Sequence, residues 1–204
     1  MTTRVKICGF THPEDLAAAC DAGADAVGFN FYPQSPRYVT TQQASELLAH
    51  LPPFVEAVGV FVNRPPEEAC SFLEMVGRMH TVQMHGNLIP YSGAYIPAFA
   101  PKTVDDLRVI DSFLSKCRPM AVLVDGHSAG LHGGTGRVAP WDLVADWKPA
   151  VPLILAGGLT PDNVAQAIRC VRPYAVDVAG GVESSPGRKC PEKMRRFIAA
   201  VRST

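Results

Sequence analysis

Three side chains, Cys8, Asp125 and His85, stand where a run of apolar residues stops and a polar loop begins, which is where a reactive group is useful, and two more, Arg37 and Asp177, are candidates beside them. Cys8 ends the run 5–8, and Asp125 ends the run 120–125, MAVLVD. A thiol with a depressed pKa can act as a base, and a carboxyl can act as an acid. On opposite sides of one substrate, such a pair suits moving a proton from carbon to oxygen. Read alone, Cys8 is as readily an inert apolar filler as a reactive thiol. Arg37 lies in YPQSPRYV, between two elements. A guanidinium there can hold a carboxylate or phosphate with two parallel hydrogen bonds, or it can form a surface ion pair that contributes little. Asp177, inside the run 175–178, is either a buried hydrogen-bonding acid or an acceptor for a substrate amine. His85 ends the run 81–84 and reads equally as structural or functional.

Glycines form a second group. Gly157-Gly158 and Gly180-Gly181 follow the last two apolar runs, and the loop after Asp125 holds Gly126, Gly130, Gly133, Gly134 and Gly136. Backbone N–H groups free of side chains can approach phosphate oxygens, and a short helical turn beside them adds partial positive charge. The residues 182–184 are the expected turn. The bland alternative is that these glycines only let strands turn into helices. No lysine-bearing phosphate loop is present.

The elements that must carry these groups alternate. Apolar runs at 5–8, 25–31, 54–62, 81–84, 94–100, 120–124, 152–156 and 175–178 predict eight strands. Helical spacing is found at 13–22, 42–50, 67–76, 104–117, 141–147, 160–168 and 191–201. Thr11 is expected to cap the first helix, with Pro13 in its first turn and Glu14 completing a capping box. Thr40 or Thr41 caps the second. The segment 87–93 is too short and too rich in turn residues for an ordinary helix, so the fourth helix of the series is short or missing. Eight strand–helix units predict a single α/β domain over residues 1–204, a closed (β/α)8 TIM barrel of the phosphate-binding type. A doubly wound open sheet is the alternative. It calls for a glycine-rich turn after the first strand and an acid after the second, and neither is found.

The 204 residues carry 19 Lys and Arg against 19 Asp and Glu, a formal net charge of zero. Neither a nucleic acid nor a membrane is an expected partner: there is no basic stripe, and no apolar run reaches the roughly 18 residues of a span. The N-terminus enters a strand without a signal-peptide core, so a cytoplasmic protein is expected. The six cysteines show no paired spacing and read as free thiols. No metal is expected, because no cluster has metal-ligand spacing.

Seven segments in order resemble the phosphoribosylanthranilate isomerase family: KICGFT (6–11), VGFNFYPQSPRYV (27–39), VGVFVN (58–63), VQMHG (82–86), LVDGHSAGLHGGTG (123–136), LAGGLTPDNV (155–164) and VDVAGGVESSPGRK (176–189). The resemblance implies a cofactor-free Amadori rearrangement in tryptophan biosynthesis, with N-(5-phosphoribosyl)anthranilate as the phosphorylated small-molecule substrate. It implies Cys8 as general base and Asp125 as general acid. It implies Arg37 on the anthranilate group, Asp177 near the bridging amine, and Gly134, Gly158, Gly180 and Gly181 around the phosphate. The oligomer is expected to be a monomer or homodimer. Where the family tends to end its eighth strand in Ser-Ser-Gly, this chain has Ala179-Gly180-Gly181. Two other readings remain open: a different sugar-phosphate isomerase or synthase on the same barrel, and a barrel that binds a phosphorylated ligand without turning it over.

Overall fold

The computed structural model describes residues 2–91, 95–126 and 141–204. Eight parallel strands close on themselves: β1 (Arg4–Cys8), β2 (Ala26–Asn30), β3 (Glu56–Val62), β4 (Thr81–His85), β5 (Tyr95–Phe99), β6 (Val122–Asp125), β7 (Leu153–Ala156) and β8 (Ala175–Val178). The closing pair, β1 with β8, sets Lys6 opposite Asp177 and Ile7 opposite Val178. Helices α1 (Pro13–Ala22), α2 (Thr41–Leu48), α3 (Pro66–Val76), α4 (Val104–Lys116), α5 (Trp141–Ala145), α6 (Val164–Val171) and α7 (Pro191–Arg202) alternate with the strands. This is the (β/α)8 barrel that the alternation predicts. Among the described residues no helix separates β4 from β5, in line with the turn-rich composition of that stretch.

The side-chain period of two sorts each strand into an outer and an inner face. Val5, Ile7, Val27, Phe29, Val122, Val124, Leu155 and Val176 point outward into one continuous core beneath the helices. Ile96, Ala98, Ala121, Leu123, Ile154, Ala156 and Ala175 form a separate cluster inside the barrel. By the same parity Lys6 and Cys8 share the inner side of β1, and Asp125 shares the inner side of β6 with Leu123. An outward-facing Leu155, fully buried, contributes roughly 2 kcal/mol by leaving water.

Helix boundaries follow local chemistry where the capping partner is near in sequence. Thr40 caps α2, and the Gln43 side chain closes the box in return. Thr103 and Asp106 do the same for α4. Thr11 departs from expectation. His12 is the N-cap residue of α1, without a side-chain cap, and Thr11 Oγ1 donates instead to the carbonyl of Gly187 at 2.7 Å. The hydroxyl serves a contact 176 residues away in place of its own helix. Residues 160–163 form a turn ahead of α6. Residues Gly180–Val182 form one 3-10 turn, two positions earlier than expected. The chain then runs into a small hairpin of β9 (Glu183–Ser185) and β10 (Arg188–Lys189).

Candidate active site at the barrel mouth

Parallel barrels gather side chains from the C-terminal ends of their strands at one mouth. Cys8 is there, at the end of β1, 9% exposed. Its neighbour across the pair is Gly28 of β2, where an added Cβ would lie 2.6 Å from the Cys8 sulfur. The glycine therefore makes the thiol's space. Two residues earlier on the same face, Lys6 Nζ bonds Asp177 Oδ1 at 2.9 Å, with both side chains buried. Asp177 is thus a buried, hydrogen-bonded acid, the first of its two sequence readings.

Burial pushes the Cys8 thiol above its ordinary value. The Lys6 cation opposes this, Asp177 adds to it, and Lys189 opposes it again, leaving the group raised. This direction is opposite to the depressed thiol that the sequence reading named for a base. Burial would push the Lys6 ammonium down, but Asp177 and Cys8 more than compensate and it stays charged.

Asp125 ends β6 opposite Ala156 of β7. The next residue of that loop, Gly157, has a φ of +89°, and a Cβ built there would sit 2.6 Å from Asp125 Oδ1 and closer still to the Gly126 nitrogen. Gly158 follows at φ +65°. Both conformations are ones a side chain resists. At Gly181 a Cβ would run into the Leu159 carbonyl. Backbone-close packing therefore explains Gly157 and Gly181, and conformation explains Gly158, whatever they bind. Nothing comparable constrains Gly180. Gly134 lies outside the described residues.

His85 ends β4, two residues after Gln83 on the same side. Gln83 Nε2 and His85 Nε2 are 2.9 Å apart, and Gln83 Oε1 has no partner among the described residues. Burial lowers the His85 pKa; the Asp125 charge works against this and Lys6 with it, which leaves a neutral imidazole at pH 7.

Arg37 is placed by a folded loop. Asn30 Oδ1 accepts from the Tyr32 nitrogen and Asn30 Nδ2 donates to Ser35 Oγ, which accepts from the Arg37 nitrogen. The side chain lies against Gly9, whose φ of +88° and missing Cβ leave room for it. It is not a rim cation. Arg37 Nε and Nη2 each donate at 2.7 Å to the two oxygens of Glu183, and its side chain is 12% exposed. Glu183 Oε1 also accepts at 2.8 Å from Lys189 Nζ, which is fully buried. Lys189 donates further to the carbonyls of Cys8, at 2.6 Å, and Ala179, at 3.2 Å. Burial pushes the Glu183 carboxyl up, but Arg37 and Lys189 hold it below its ordinary value.

Sequence reasoning missed Lys6, Glu183 and Lys189. Lys6 carried a usable signal, since a lysine two residues before Cys8 in a strand must share its face. Glu183 and Lys189 carried none, because their partners are far off along the chain. No group of three or more metal-ligating side chains exists among the described residues, and no helix among them is long and apolar enough to cross a membrane.

A closed eight-stranded parallel barrel with an acid, a thiol and paired cations at its C-terminal mouth defines the class: a (β/α)8 barrel with its polar groups gathered at the strand ends. The sequence-family model described as N-(5'phosphoribosyl)anthranilate (PRA) isomerase matches residues 5–200. The chain belongs to that family. It is 48% identical over 203 residues to the N-(5'-phosphoribosyl)anthranilate isomerase of Geobacter sulfurreducens, covering 96% of each chain. It is 47% identical over 206 residues to that of Pseudomonas savastanoi pv. phaseolicola, covering 98% of each. Among solved structures, the isomerase of Thermotoga maritima aligns with a TM-score of 0.87 at 36% identity, over 99% of this chain and 100% of that one. A phosphoribosylanthranilate isomerase in complex with reduced 1-(o-carboxyphenylamino)-1-deoxyribulose 5-phosphate aligns with a TM-score of 0.83 at 34% identity, over 99% and 100%.

Proposed function

We propose that this mouth converts N-(5-phosphoribosyl)anthranilate to 1-(2-carboxyphenylamino)-1-deoxyribulose 5-phosphate, the isomerase step of tryptophan biosynthesis. The family match over nearly the whole chain carries this reading. The inner-face parity of Cys8 and Asp125, on strands far apart around the barrel, supports the assignment of roles. Asp125 gives a proton to the ring oxygen as the C1′–O bond breaks, and the amine nitrogen's lone pair forms the Schiff base. Cys8, as thiolate, removes the C2′ proton. The released pair forms a C1′–C2′ double bond, and the Schiff-base electrons return to nitrogen. Tautomerisation of the resulting enol gives the ketone. No electrons enter or leave, so the reaction needs no cofactor.

Arg37 holds the anthranilate carboxylate, Asp177 stands near the bridging amine, His85 contributes to substrate binding, and the backbone at Gly134, Gly158, Gly180 and Gly181 receives the phosphate. Residues 1–204 act as one barrel domain in the cytoplasm. A Thermotoga maritima relative is described as dimeric, with monomers generated from it; this chain is read as a monomer or a homodimer.

Substrate fluorescence reports the reaction. Cys8→Ala and Asp125→Asn should each lower kcat by roughly 10²- to 10⁴-fold, the usual worth of a positioned proton-transfer group, with folding intact by circular dichroism. Full activity in either variant removes that residue's role. A wild type that binds the reduced product but turns nothing over would leave only a ligand-binding barrel.

A further inference from the structure

The Arg37 guanidinium has five N–H donors, and Glu183 takes those along one edge, from Nε and Nη2. Nη1 and the second Nη2 hydrogen remain, and Nη1 has no partner among the described residues. Those donors lie side by side, the arrangement a second carboxylate can accept in parallel. Glu183 is itself fixed. Lys189 holds its Oε1, Lys193 Nζ donates to its backbone carbonyl at 2.7 Å, and its side chain is 5% exposed. Lys189 is pinned in turn to the Cys8 carbonyl at the end of β1 and the Ala179 carbonyl just after β8. The backbone nitrogen of Lys189 donates to Asp15 of α1 at 2.8 Å, so the hairpin that carries it cannot drift.

We propose that Glu183 is a positioning residue that presets Arg37 for the carboxylate on the substrate's aromatic ring, with Lys189 as its buried anchor. The proposal rests on the reading of Arg37 given above and extends it. An unanchored arginine would have to be ordered when substrate arrives. Ordering one side chain so rich in rotamers costs about two- to tenfold in affinity. With Glu183 in place that ordering is already done on folding. Glu183 also returns the Arg37–Lys189 pair to a single net positive charge, the sign a carboxylate needs, without leaving two bare cations in a dry site. If the pair were only a structural tie, it would favour no ligand group over another.

The test compares two ligands by calorimetry: reduced 1-(o-carboxyphenylamino)-1-deoxyribulose 5-phosphate and the same molecule without its ring carboxylate. The ratio of their Kd values measures discrimination for the carboxylate. Glu183→Gln removes the charge. Glu183→Asp keeps the charge facing Lys189 but withdraws the carboxylate from Arg37, so it covers the case in which the first variant folds poorly. Both should reduce the ratio two- to tenfold while leaving the Kd of the carboxylate-free ligand unchanged. In an Arg37→Ala background, Glu183→Gln should no longer affect the ratio. An unchanged ratio, or equal weakening of both ligands, overturns the proposal. A wild type that does not discriminate at all is a separate failure, because it removes Arg37 from the carboxylate and the reading beneath the proposal with it.

Discussion

At each end of the barrel one carboxylate stands between two cations. At the N-terminal end Asp25 accepts from Arg4 at 2.7 Å, from Arg202 at 2.8 Å and from the Val5 nitrogen at 2.8 Å. At the mouth Glu183 accepts from Arg37 and Lys189 over the same distances. Both networks tie β1 to the C-terminal part of the chain, and both thereby help close the barrel. They differ in water. The side chains of Arg4, Asp25 and Arg202 are 59, 20 and 35% exposed, whereas Arg37, Glu183 and Lys189 are 12, 5 and 0% exposed. Charges taken out of water repay their desolvation poorly, so stability alone would favour apolar packing at the mouth. A buried triad there is better explained by what it positions than by what it stabilises. The wet triad at the far end carries little desolvation cost and calls for no positioning role to explain it.

The largest expected break in this comparison is Lys189→Met. It leaves the Cys8 and Ala179 carbonyls short of a donor and strips one cation from a buried carboxylate, at a cost of about 3 kcal/mol or more. For a chain of this size that lowers Tm by roughly 10 °C, measurable by calorimetry. A loss as small as one from the exposed triad would mean that the mouth network is far wetter than its burial indicates.

The contrast also separates what the sequence could tell from what it could not. Strand-forming runs such as 120–125 and 175–178 are short, apolar and β-branched, because both faces of a parallel barrel strand are covered. That signature is local, so the barrel and the strand-end positions of Cys8 and Asp125 were legible. A cap at Thr40 or Thr41 was legible for the same reason, and the structure places it at Thr40 with Gln43, three residues away, closing the box. The same local signal misled at Thr11, where a tertiary acceptor at Gly187 outcompetes the helix. Arg37 was legible as a candidate but not as one arm of a buried fork, because Glu183 lies 146 residues along the chain. Lys189 reaches Cys8 across 181 residues, and no spacing rule spans that distance.

Asp25→Asn should cost less, about 1 kcal/mol at pH 7, because a partly exposed pair gains little over solvation and the amide can still accept from Val5. Its pH dependence is the sharper reading. Burial pushes the Asp25 carboxyl up, but hydrogen bonds from Arg4, Val5 and Arg202 hold it below the ordinary 3.8. A carboxyl depressed on folding adds stability that is fully present above the unfolded value and is lost as pH falls through the folded one. Wild type should therefore exceed the variant by a constant margin above about pH 5, with the margin shrinking below about pH 4. Urea denaturation from pH 3 to 7 measures it; a margin as large at pH 3 as at pH 7 would remove the electrostatic origin.

The smallest effect separates the two networks by salt. Arg4→Gln removes the most exposed arm of the N-terminal triad, where Arg4 meets Asp25 in contact with solvent. Between about 0.1 and 1 M salt the screening length falls from about 10 to 3 Å, and an interaction between exposed charges fades accordingly. The destabilisation by Arg4→Gln should therefore shrink across that range, while that by Lys189→Met should stay nearly constant, since ions do not enter the space around a fully buried ammonium. Denaturation by urea, which is uncharged, keeps the salt axis independent. Parallel loss of both effects with salt would make the two ends of the barrel electrostatically alike, and the case for a positioning role at the mouth would then rest on ligand discrimination alone.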